Sequence, residues 1–572
     1  MSDHRPWYRH YPEGVPRTLE PYPEVSAFSM LAGAAARHPD RPAIAWFGRH
    51  ISYRDLLREV ERCSAGLARL GVRKGDRVGL LLPNCPQYVI AYYATLRLGA
   101  VVVGNNPLYT QRELTHQLED AGCSVLIALD RFYPTVEAVR REVGDPEVVY
   151  TKLTDHMPFP LNLLAPIKLR REAKHEGAPW PPVPKGAPVR WWRRLLEEAG
   201  APPPPAVVEP RTDPAGFIYT GGTTGLAKAA ILSHFNLVAN AMQSAAWFPD
   251  LGDGTDAMMC VLPFFHSYGM TVCMNVSVYR AAKMILVPRF ELHMVLKQIQ
   301  KEKPTLFPGV PRLYIALNEA PETRRFDLRS IKACLSGAAP LPAAVAERFR
   351  EITGGARLVE GYGLTECSPV THANPIYGRA KEGSIGMPIP DTDCKIVSLD
   401  DPDREVPVGQ EGELCIRGPQ VMLGYWKRPE ETALAIRNGW FHTGDVARMD
   451  EDGYFSIVDR IKEMIIVSGF NVYPTEVEQV LYRHPKVHKV SVVGVPDATT
   501  GEAVKAFVVL KPGETATAEE IVAWCRDPSQ GLTGYRVPRH VEFRDSLPET
   551  LIGKVLRRVL LEEERQRAGA AP

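Results

Sequence analysis

The stretch YTGGTTGLAK at 219–228 constrains this chain most, because it places several kinds of phosphate-binding group in one short turn. Its glycines can adopt positive φ, so successive backbone N–H groups can converge on an anion. Its threonines add hydroxyl donors and its lysine adds positive charge. The candidate phosphate-binding residues are Thr220, Gly221, Gly222, Thr223, Thr224, Gly225 and Lys228. A nucleotide polyphosphate is the expected ligand.

The sequence excludes two common nucleotide-binding motifs, the P-loop and the dinucleotide fingerprint. Residues 215–219 predict a short buried strand and 233–242 predict a helix capped by Ser233. In a P-loop the lysine directly follows the last glycine, whereas Lys228 comes three residues after Gly225. The stretch GYGLTE at 361–366 is no dinucleotide fingerprint, since Glu366 stands where the third glycine belongs. Taken alone, the loop fits an ordinary flexible turn equally well.

Composition narrows the class of protein. At 572 residues the chain is too long for a single core and should split into a few domains. A net charge of +1 provides no field that would draw the protein onto nucleic acid, so we expect no nucleic-acid partner. The ten cysteines include no CxxC pair, which favours reduced thiols in a cytoplasm. No apolar run is long enough to cross a bilayer, so the protein should be soluble or peripheral to a membrane.

The order of predicted elements indicates an α/β fold with doubly wound sheets. Strand-like runs at 77–82 and 100–103 alternate with amphipathic helices such as 53–70, and a strand-rich part ends near 458. We therefore predict a large domain of doubly wound sheets with a small β-rich subdomain over residues 1–459. A small mobile α+β domain should occupy 460–572, and the proline-rich residues 157–205 should form an extended surface excursion.

Five ordered motifs point to one family. They are the loop at 220–228, GYGLTE at 361–366, GWFHTGD at 439–445, DRIKEMIIVSGFN at 459–471 and PETLIGK at 548–554. Through these motifs the chain resembles the AMP-forming acyl-CoA synthetases of the adenylate-forming superfamily, and within them the bacterial long-chain fatty acid CoA ligases. The resemblance implies that a fatty acid and ATP form an acyl adenylate, which CoA converts to acyl-CoA. Mg²⁺ is the implied cofactor.

The resemblance assigns roles to residues of the first reaction. Lys554 would bridge the acyl carboxylate and the α-phosphate, where a compact cation neutralises charge as the bond forms. Glu366 and Thr224 would hold Mg²⁺. Thr365 would reach the α-phosphate, and Asp445 would accept the ribose hydroxyls. The other residues expected around the nucleotide are Gly337, Ala338, Ala339, Gly361, Tyr362, Gly363, Ile457 and Arg460.

A second set would serve the thiol-transfer step, after the small domain rotates. Lys462 aligns with the hinge position of the family, where a residue must absorb a backbone rotation. Ser468, Gly469 and Phe470 would line the path of the pantetheine arm, and Gly469 would let that arm approach closely. Without the resemblance, Lys462 fits an ordinary charged linker.

The stretch LPFFHSYG at 262–269 bears most directly on the substrate. Amino-acid-activating relatives carry an aspartate here that holds the substrate's ammonium group, whereas this chain has His266. The resemblance therefore implies a plain carboxylic acid, and it places His266 where a residue would gate the thiol passage. The neighbouring apolar residues either wall an acyl tunnel or belong to the core. They are Trp247, Phe264, Met270 and Val272.

Residues 157–171 interleave apolar side chains with cations, and further aromatic and basic residues follow at Trp180, Trp191, Trp192, Arg193 and Arg194. Such a segment either rests on an anionic membrane or forms a solvated proline-rich loop. The first reading places a cytoplasmic protein peripherally on the inner face of the membrane. The resemblance also allows a homodimer.

Several other functions stay open at this point. Within the family they are an acyl-AMP ligase that loads a carrier protein, a ligase for medium-chain or aryl acids, and a luciferase-like oxygenase. Outside catalysis, a nucleotide or acyl sensor would keep the fold without needing Lys554. Two departures from the usual phosphate loop, Ala227 for proline and Ala229 for glycine, change its stiffness more than its donors.

Overall fold

The computed structural model describes residues 5–177, 179–220, 227–497, 499–530, 532, 534–549 and 555–569. Its helices are α1 (Phe28–Arg37), α2 (Tyr53–Arg69), α3 (Pro86–Arg97), α4 (Gln111–Ala121), α5 (Tyr133–Val139), α6 (Leu161–His175), α7 (Trp192–Glu197), α8 (His234–Ala246), α9 (Val276–Tyr279), α10 (Leu292–Glu302), α11 (Pro311–Glu319), α12 (Ala343–Thr353), α13 (Pro429–Ala435), α14 (Pro474–Tyr482), α15 (Ala518–Arg526) and α16 (Arg557–Gly569). Its strands are β1 (Pro42–Trp46), β2 (Arg49–Ser52), β3 (Arg77–Leu81), β4 (Val101–Gly104), β5 (Val125–Leu129), β6 (Glu147–Thr151), β7 (Arg190–Trp191), β8 (Pro214–Thr220), β9 (Lys228–Ser233), β10 (Ala257–Cys260), β11 (Lys283–Leu286), β12 (Ala333–Ser336), β13 (Arg357–Gly363), β14 (Val370–Ala373), β15 (Met387–Pro388), β16 (Asp393–Val397), β17 (Gly412–Arg417), β18 (Gly424–Tyr425), β19 (Ile436–Arg437), β20 (Trp440–Met449), β21 (Phe455–Arg460), β22 (Ile465–Val467), β23 (Phe470–Val472), β24 (Val487–Asp497), β25 (Gly501–Leu510) and β26 (His540–Phe543).

The largest sheet has eight strands in the order β18-β9-β8-β4-β3-β5-β6-β7. Neighbours from β8 to β7 are parallel, and β9 and β18 add an antiparallel edge. The central strands are continuous apolar runs, as expected when a parallel sheet is covered on both faces, and all five residues of β5 are buried. The sheet confirms the predicted α/β class.

A second layer consists of two smaller sheets that meet edge to edge. In one, β10, β11 and β1 are parallel, and in the other β12 and β13 are parallel. Leu306 bridges both to Met258 in β10 and to Ala333 in β12, which joins the two sheets. All twelve residues of α3 are buried, and its side chains share one core with strands of both layers. A helix that is buried on every side and mostly apolar fits only such an interior position.

The remaining strands form a β-rich subdomain and a C-terminal domain. The subdomain is the antiparallel set β16-β17-β20-β19, with β21 beside β20. The C-terminal sheet, β23-β22-β25-β24 with β26 beside β25, has a core of its own that runs from Ile465 to Val537. A large α/β domain and a smaller domain are therefore present as predicted, while the boundary at 459/460 stays a prediction.

The loop at 219–228 differs from its prediction, because it joins two antiparallel strands instead of leading directly into a helix. Thr220 ends β8 and lies opposite Lys228, which begins β9. The capped helix follows as predicted: the Ser233 hydroxyl accepts the Asn236 N–H at 3.1 Å. Sequence reasoning missed β9 because its first residues, a lysine and two alanines, have weak strand propensity.

The proline-rich excursion also differs, since α6 and α7 occupy much of it. Residues 167–175 are mostly strong helix formers, and they keep α6 helical although Pro166 lies within it. Trp192 is only 1% exposed and Trp191 is half-buried beneath Lys152, so neither tryptophan is a free surface group. Among the described helices, none combines the length and the apolar character that crossing a bilayer requires.

Candidate active site

The carboxyl ends of two parallel strands, β12 and β13, form one wall of the site. Ser336 lies opposite Glu360, so the segments that follow, 337–339 and 361–363, are neighbours. Ala338 has a φ of +70°, which turns the backbone sharply after β12. Crevices at the carboxyl ends of parallel strands are where α/β folds bind ligands, so these predicted adenine-side residues are suitably placed.

Glu360 adds a titratable group to this wall. Its Oε2 accepts the Leu341 N–H at 2.8 Å, which ties β13 to the turn after Ala339. Burial raises the pKa of Glu360 to about 7, although the Leu341 hydrogen bond opposes that shift. The carboxyl group therefore changes charge near neutral pH.

Tyr362, Asp445 and Arg460 meet in one hydrogen-bonded group. The Tyr362 hydroxyl donates to Asp445 Oδ2 at 2.5 Å, and Arg460 Nε lies 3.1 Å from Asp445 Oδ1. Asp445 is 4% exposed, yet its Oδ1 accepts no hydrogen bond of good geometry. Burial would lower the pKa of Arg460, but the carboxylates of Asp445 and Glu463 outweigh that effect and raise it. A buried carboxylate oxygen with spare acceptor capacity suits a sugar hydroxyl.

Tyr425, which sequence reasoning missed, contacts both Glu366 and Lys228. The Tyr425 hydroxyl donates to Glu366 Oε1 at 2.8 Å, and Lys228 Nζ lies 4.7 Å from the centre of the Tyr425 ring. Lys228 also forms an ion pair with Glu431. The end of the glycine-rich loop and the candidate metal carboxylate thus belong to one cluster.

Part of the predicted set lies outside the described residues. These residues are Gly221, Gly222, Thr223, Thr224, Gly225 and Lys554. Their described neighbours fix where each segment is anchored: Thr220 pairs with Lys228, and Glu549 bridges Val555. Glu549 also lies 3.8 Å from Arg312 at the start of α11, so this part of the C-terminal domain contacts the large domain.

The segment 262–269 lies against the GYGLTE motif. Asn84 donates to the carbonyls of Cys260 and Leu262 at 3.0 and 2.8 Å, which fixes the start of the segment. Ser267 and Thr365 are joined by their hydroxyls at 3.2 Å, and His266 Nδ1 accepts the Tyr268 N–H at 3.2 Å. The π-helix Gly269–Asn275 follows, a distortion frequent at functional sites. His266 is therefore held one residue from the Thr365 contact.

The four apolar residues expected near a substrate are all buried. They are Trp247, Phe264, Met270 and Val272. All four belong to the main core, where the Trp247 indole N–H also donates to the Asn374 carbonyl at 3.0 Å. Their burial is that of core residues. That they also wall an acyl tunnel stays a prediction.

The predicted hinge and thiol-path residues lie on the C-terminal side of the site. Ile457 is in β21 opposite Ala447, and Lys462 is exposed in the 3₁₀ helix Ile461–Glu463. Ser468 and Gly469, with φ of 52° and 83°, form the two-residue turn between β22 and β23. Phe470 follows, is 58% exposed and stacks on Tyr535 at 5.0 Å. Ile457, which was predicted to lie near the nucleotide, shares β21 with Arg460, whereas the hinge and thiol-path residues all follow that strand.

Sequence reasoning missed four residues that contact a predicted residue or the backbone beside one: Tyr425, Ser267, Glu360 and Glu413. Glu413 accepts the N–H of Gly444, the residue before Asp445, at 3.0 Å. Tyr425 is 59 positions from Glu366 in the chain, and Ser267 is 98 from Thr365. Pairs so distant leave no local spacing signal. Glu360 is the exception, because it directly precedes the GYGLTE motif and its position in the sequence therefore marks it as a candidate site residue.

Models of known protein families match both parts of the chain. The AMP-binding enzyme model matches residues 31–426, and the AMP-binding enzyme C-terminal domain model matches 476–554. This chain belongs to the AMP-binding enzyme family.

Individual members of the AMP-binding family match almost the whole chain. The long-chain-fatty-acid–CoA ligase of Bacillus subtilis strain 168 is 45% identical over 567 residues, covering 99% of each chain. The enzyme of the same name from Escherichia coli O157:H7 is 41% identical, covering 98% of each. Among solved structures, ATP-bound MatB from Rhodopseudomonas palustris superposes with a TM-score of 0.81 at 28% identity, covering 95% of this chain and 99% of that one. The family resemblance predicted from the five motifs is confirmed, and the chain is an ATP-dependent acyl-CoA-forming enzyme.

Proposed function

We propose that this enzyme activates long-chain fatty acids, converting fatty acid, ATP and CoA to acyl-CoA, AMP and pyrophosphate. The observation that carries the proposal is its 45% identity, over 567 residues, to a protein named for that activity. The site is consistent with it, since a hydroxyl-rich, charged cluster for a nucleotide adjoins an apolar segment. His266, in place of an acidic residue, suits a substrate without an ammonium group.

In the first reaction the chain's residues position two anions against each other. Asp445 would accept ribose hydroxyls at Oδ1, while the Tyr362 hydroxyl holds Oδ2. Thr365, fixed by Ser267, would donate to the α-phosphate. Lys554 and Lys228 would supply positive charge that offsets the repulsion between carboxylate and phosphate.

Mg²⁺ is the proposed cofactor, and the donor set fits it. Glu366 offers a carboxylate, and oxygen ligands are those that Mg²⁺ prefers. The Tyr425 hydroxyl holds Glu366 Oε1 and thereby orients the carboxylate, while Thr224 would be a second ligand. When bound, the ion would neutralise phosphate charge as pyrophosphate leaves.

For thioester formation we propose rotation of the small domain about Lys462. The turn at Ser468 and Gly469, both at positive φ, would then line the thiol path, where two small residues leave the backbone accessible. Phe470 and Tyr535 would form an aromatic edge of that path.

The direct experiment is pyrophosphate release against straight-chain carboxylic acids of rising length, with and without CoA. We expect the highest kcat/KM with long chains and turnover that depends on CoA. Equal use of a carrier protein in place of CoA would indicate an acyl-AMP ligase instead, and a preference for medium-chain or aryl acids would contradict the long-chain assignment.

We also propose that α6 rests on the inner face of an anionic membrane. Its exposed apolar side chains, Leu161, Leu163, Leu164 and Ile167, lie beside Lys168, Arg170, Arg171 and Lys174. Apolar groups with adjacent cations are the pattern of helices that lie in the interface of anionic lipids. This contact would place the enzyme where fatty acids partition.

Co-sedimentation with phosphatidylglycerol-containing vesicles tests this contact. We expect Leu163→Ser/Ile167→Ser to weaken binding several-fold, with Val207→Ser/Val408→Ser as a control at exposed apolar residues elsewhere. Equal binding by both variants would contradict the assignment. A homodimer stays a prediction, which sedimentation velocity at assay concentration decides.

A further inference from the structure

A bulge in β20 brings Asp445 to the site. Glu413 of β17 pairs with Val446 of β20, and Cys415 of β17 pairs with His442. One residue of β17, Leu414, therefore lies opposite three residues of β20, 443–445. Bulges of this kind re-aim side chains and are frequent beside active sites. The direction of Asp445 therefore depends on what holds the bulge.

Two side chains hold the backbone of the bulge. Glu413 Oε1 accepts the Gly444 N–H at 3.0 Å, and Thr443 Oγ1 accepts the Asp445 N–H at 3.0 Å. The Thr443 hydroxyl donates in turn to the Leu414 carbonyl at 2.8 Å. Gly444 has a φ of +71°, the left-handed conformation that glycine adopts readily.

His442 orients Glu413. Its Nδ1 lies 2.8 Å from Glu413 Oε2, and the side chains of His442 and Glu413 are 6% and 12% exposed. Both carboxylate oxygens are thus committed, one to the imidazole and one to the bulge. Because the pair is largely shielded from water, solvent cannot easily replace either hydrogen bond.

We propose that Glu413, oriented by His442, is a positioning residue that aims Asp445 at the ribose. The proposal rests on the proposed function, in which Asp445 accepts ribose hydroxyls. Glu413 itself does not touch the nucleotide; it acts through the Gly444 N–H, one residue from Asp445. Its loss should therefore weaken recognition of the ribose more than the chemical step.

A metal site is the other use these residues suggest, since donor atoms of Glu413, Cys415 and His442 lie within 4.8 Å of one another. Hydrogen bonds already occupy both Glu413 oxygens and His442 Nδ1. Burial also raises the pKa of the Cys415 thiol to about 12, which disfavours the thiolate that binds metals. The geometry is that of a hydrogen-bonded support.

Direct binding of ATP and 2′-deoxy-ATP, measured by calorimetry, tests the proposal in the full-length protein. Wild type should prefer ATP, and Asp445→Ala should abolish the preference. We expect Glu413→Ala to weaken ATP binding about 10-fold and to lose most of the preference, by analogy with residues that support metal ligands. Glu413→Gln should retain it, because its amide oxygen can still accept the Gly444 N–H.

Two control variants separate the possible failures. Glu405→Ala removes an exposed carboxylate near the same subdomain and should leave binding unchanged. In Asp445→Ala, adding Glu413→Ala should cause no further loss of ATP affinity. An unchanged ATP preference in Glu413→Ala, or stoichiometric zinc in purified protein, would overturn the positioning role. Wild type that binds ATP but activates no carboxylic acid would overturn the proposed function instead.

Discussion

Tyr425→Phe removes a single hydroxyl that joins the loop lysine to the candidate magnesium ligand. The ring remains, so the contact of Lys228 at 4.7 Å from its centre is kept. What is lost is the 2.8 Å hydrogen bond to Glu366 Oε1. Burial, followed by the charge of Glu366, raises the pKa of Tyr425, so its hydroxyl stays a proton donor at all assay pH values.

The size of the effect follows from the type of hydrogen bond. A hydrogen bond to a charged group contributes about 2 kcal/mol, equivalent to about a 30-fold loss of kcat/KM if it acts fully in the transition state. Tyr425→Ala also removes the cation–π contact, worth about 0.5–1 kcal/mol at such a site. Its loss should therefore exceed that of Tyr425→Phe by a few-fold.

The assay is ATP–pyrophosphate exchange with a long-chain acid, run over a range of free Mg²⁺. Tyr425→Phe should require more Mg²⁺ for half-maximal rate, because Glu366 is no longer held in one orientation. Tyr150→Phe is a matched control, since its hydroxyl donates to Glu137 at 2.9 Å away from the cluster. An unchanged rate and Mg²⁺ requirement in Tyr425→Phe would refute the role given to this hydrogen bond.

Three further predictions concern other parts of the molecule. Lys554→Ala should abolish acyl-AMP formation but spare thioester formation from supplied acyl-AMP; equal loss of both half-reactions, measured separately, would contradict the division of roles. Burial raises the pKa of Glu360 to about 7, so the folded protein retains its proton longer than the unfolded chain and loses stability as pH rises from about 4.5 to 7. Relative to Glu360→Gln, wild type should lose about 2–3 kcal/mol of unfolding free energy between pH 5 and 8, and parallel pH profiles in denaturant titrations would disprove this. Arg557 contacts the carboxylates of Asp459, Glu463 and Glu478, so Arg557→Met should destabilise the C-terminal domain by about 3 kcal/mol; an unchanged calorimetric unfolding profile would exclude that role.

Much of the fold could be predicted because its signals are local. Buried strands such as β3 and β4 are short apolar runs, and the cap of α8 is fixed by Ser233 and Asn236 three residues apart. The strand β9 and the helix α6 were missed because each contains residues that disfavour it locally, although the part of α6 after Pro166 consists mostly of strong helix formers. β9 starts with poor strand formers that pair with β8, and α6 continues past an internal proline.

The candidate site likewise combines residues that have a local sequence signal with residues that have none. The five motifs contain polar groups that the structure brings together, such as Tyr362, Asp445 and Arg460, since each motif is a continuous stretch of sequence. Their supporting residues come from other strands: Tyr425 from β18 reaches Glu366, and Glu413 from β17 reaches Gly444. Such contacts depend on strand register and on the bulge in β20, which no spacing in the sequence encodes.

The reaction proposed for this site joins a carboxylate oxygen to the α-phosphorus of ATP and releases pyrophosphate. The most direct measurement is mass spectrometry of the purified enzyme after incubation with ATP, Mg²⁺ and palmitate in the absence of CoA. Enzyme-bound palmitoyl-AMP, together with an equal amount of pyrophosphate, is the predicted result. Protein that binds both substrates yet yields neither product would contradict adenylate formation at this site.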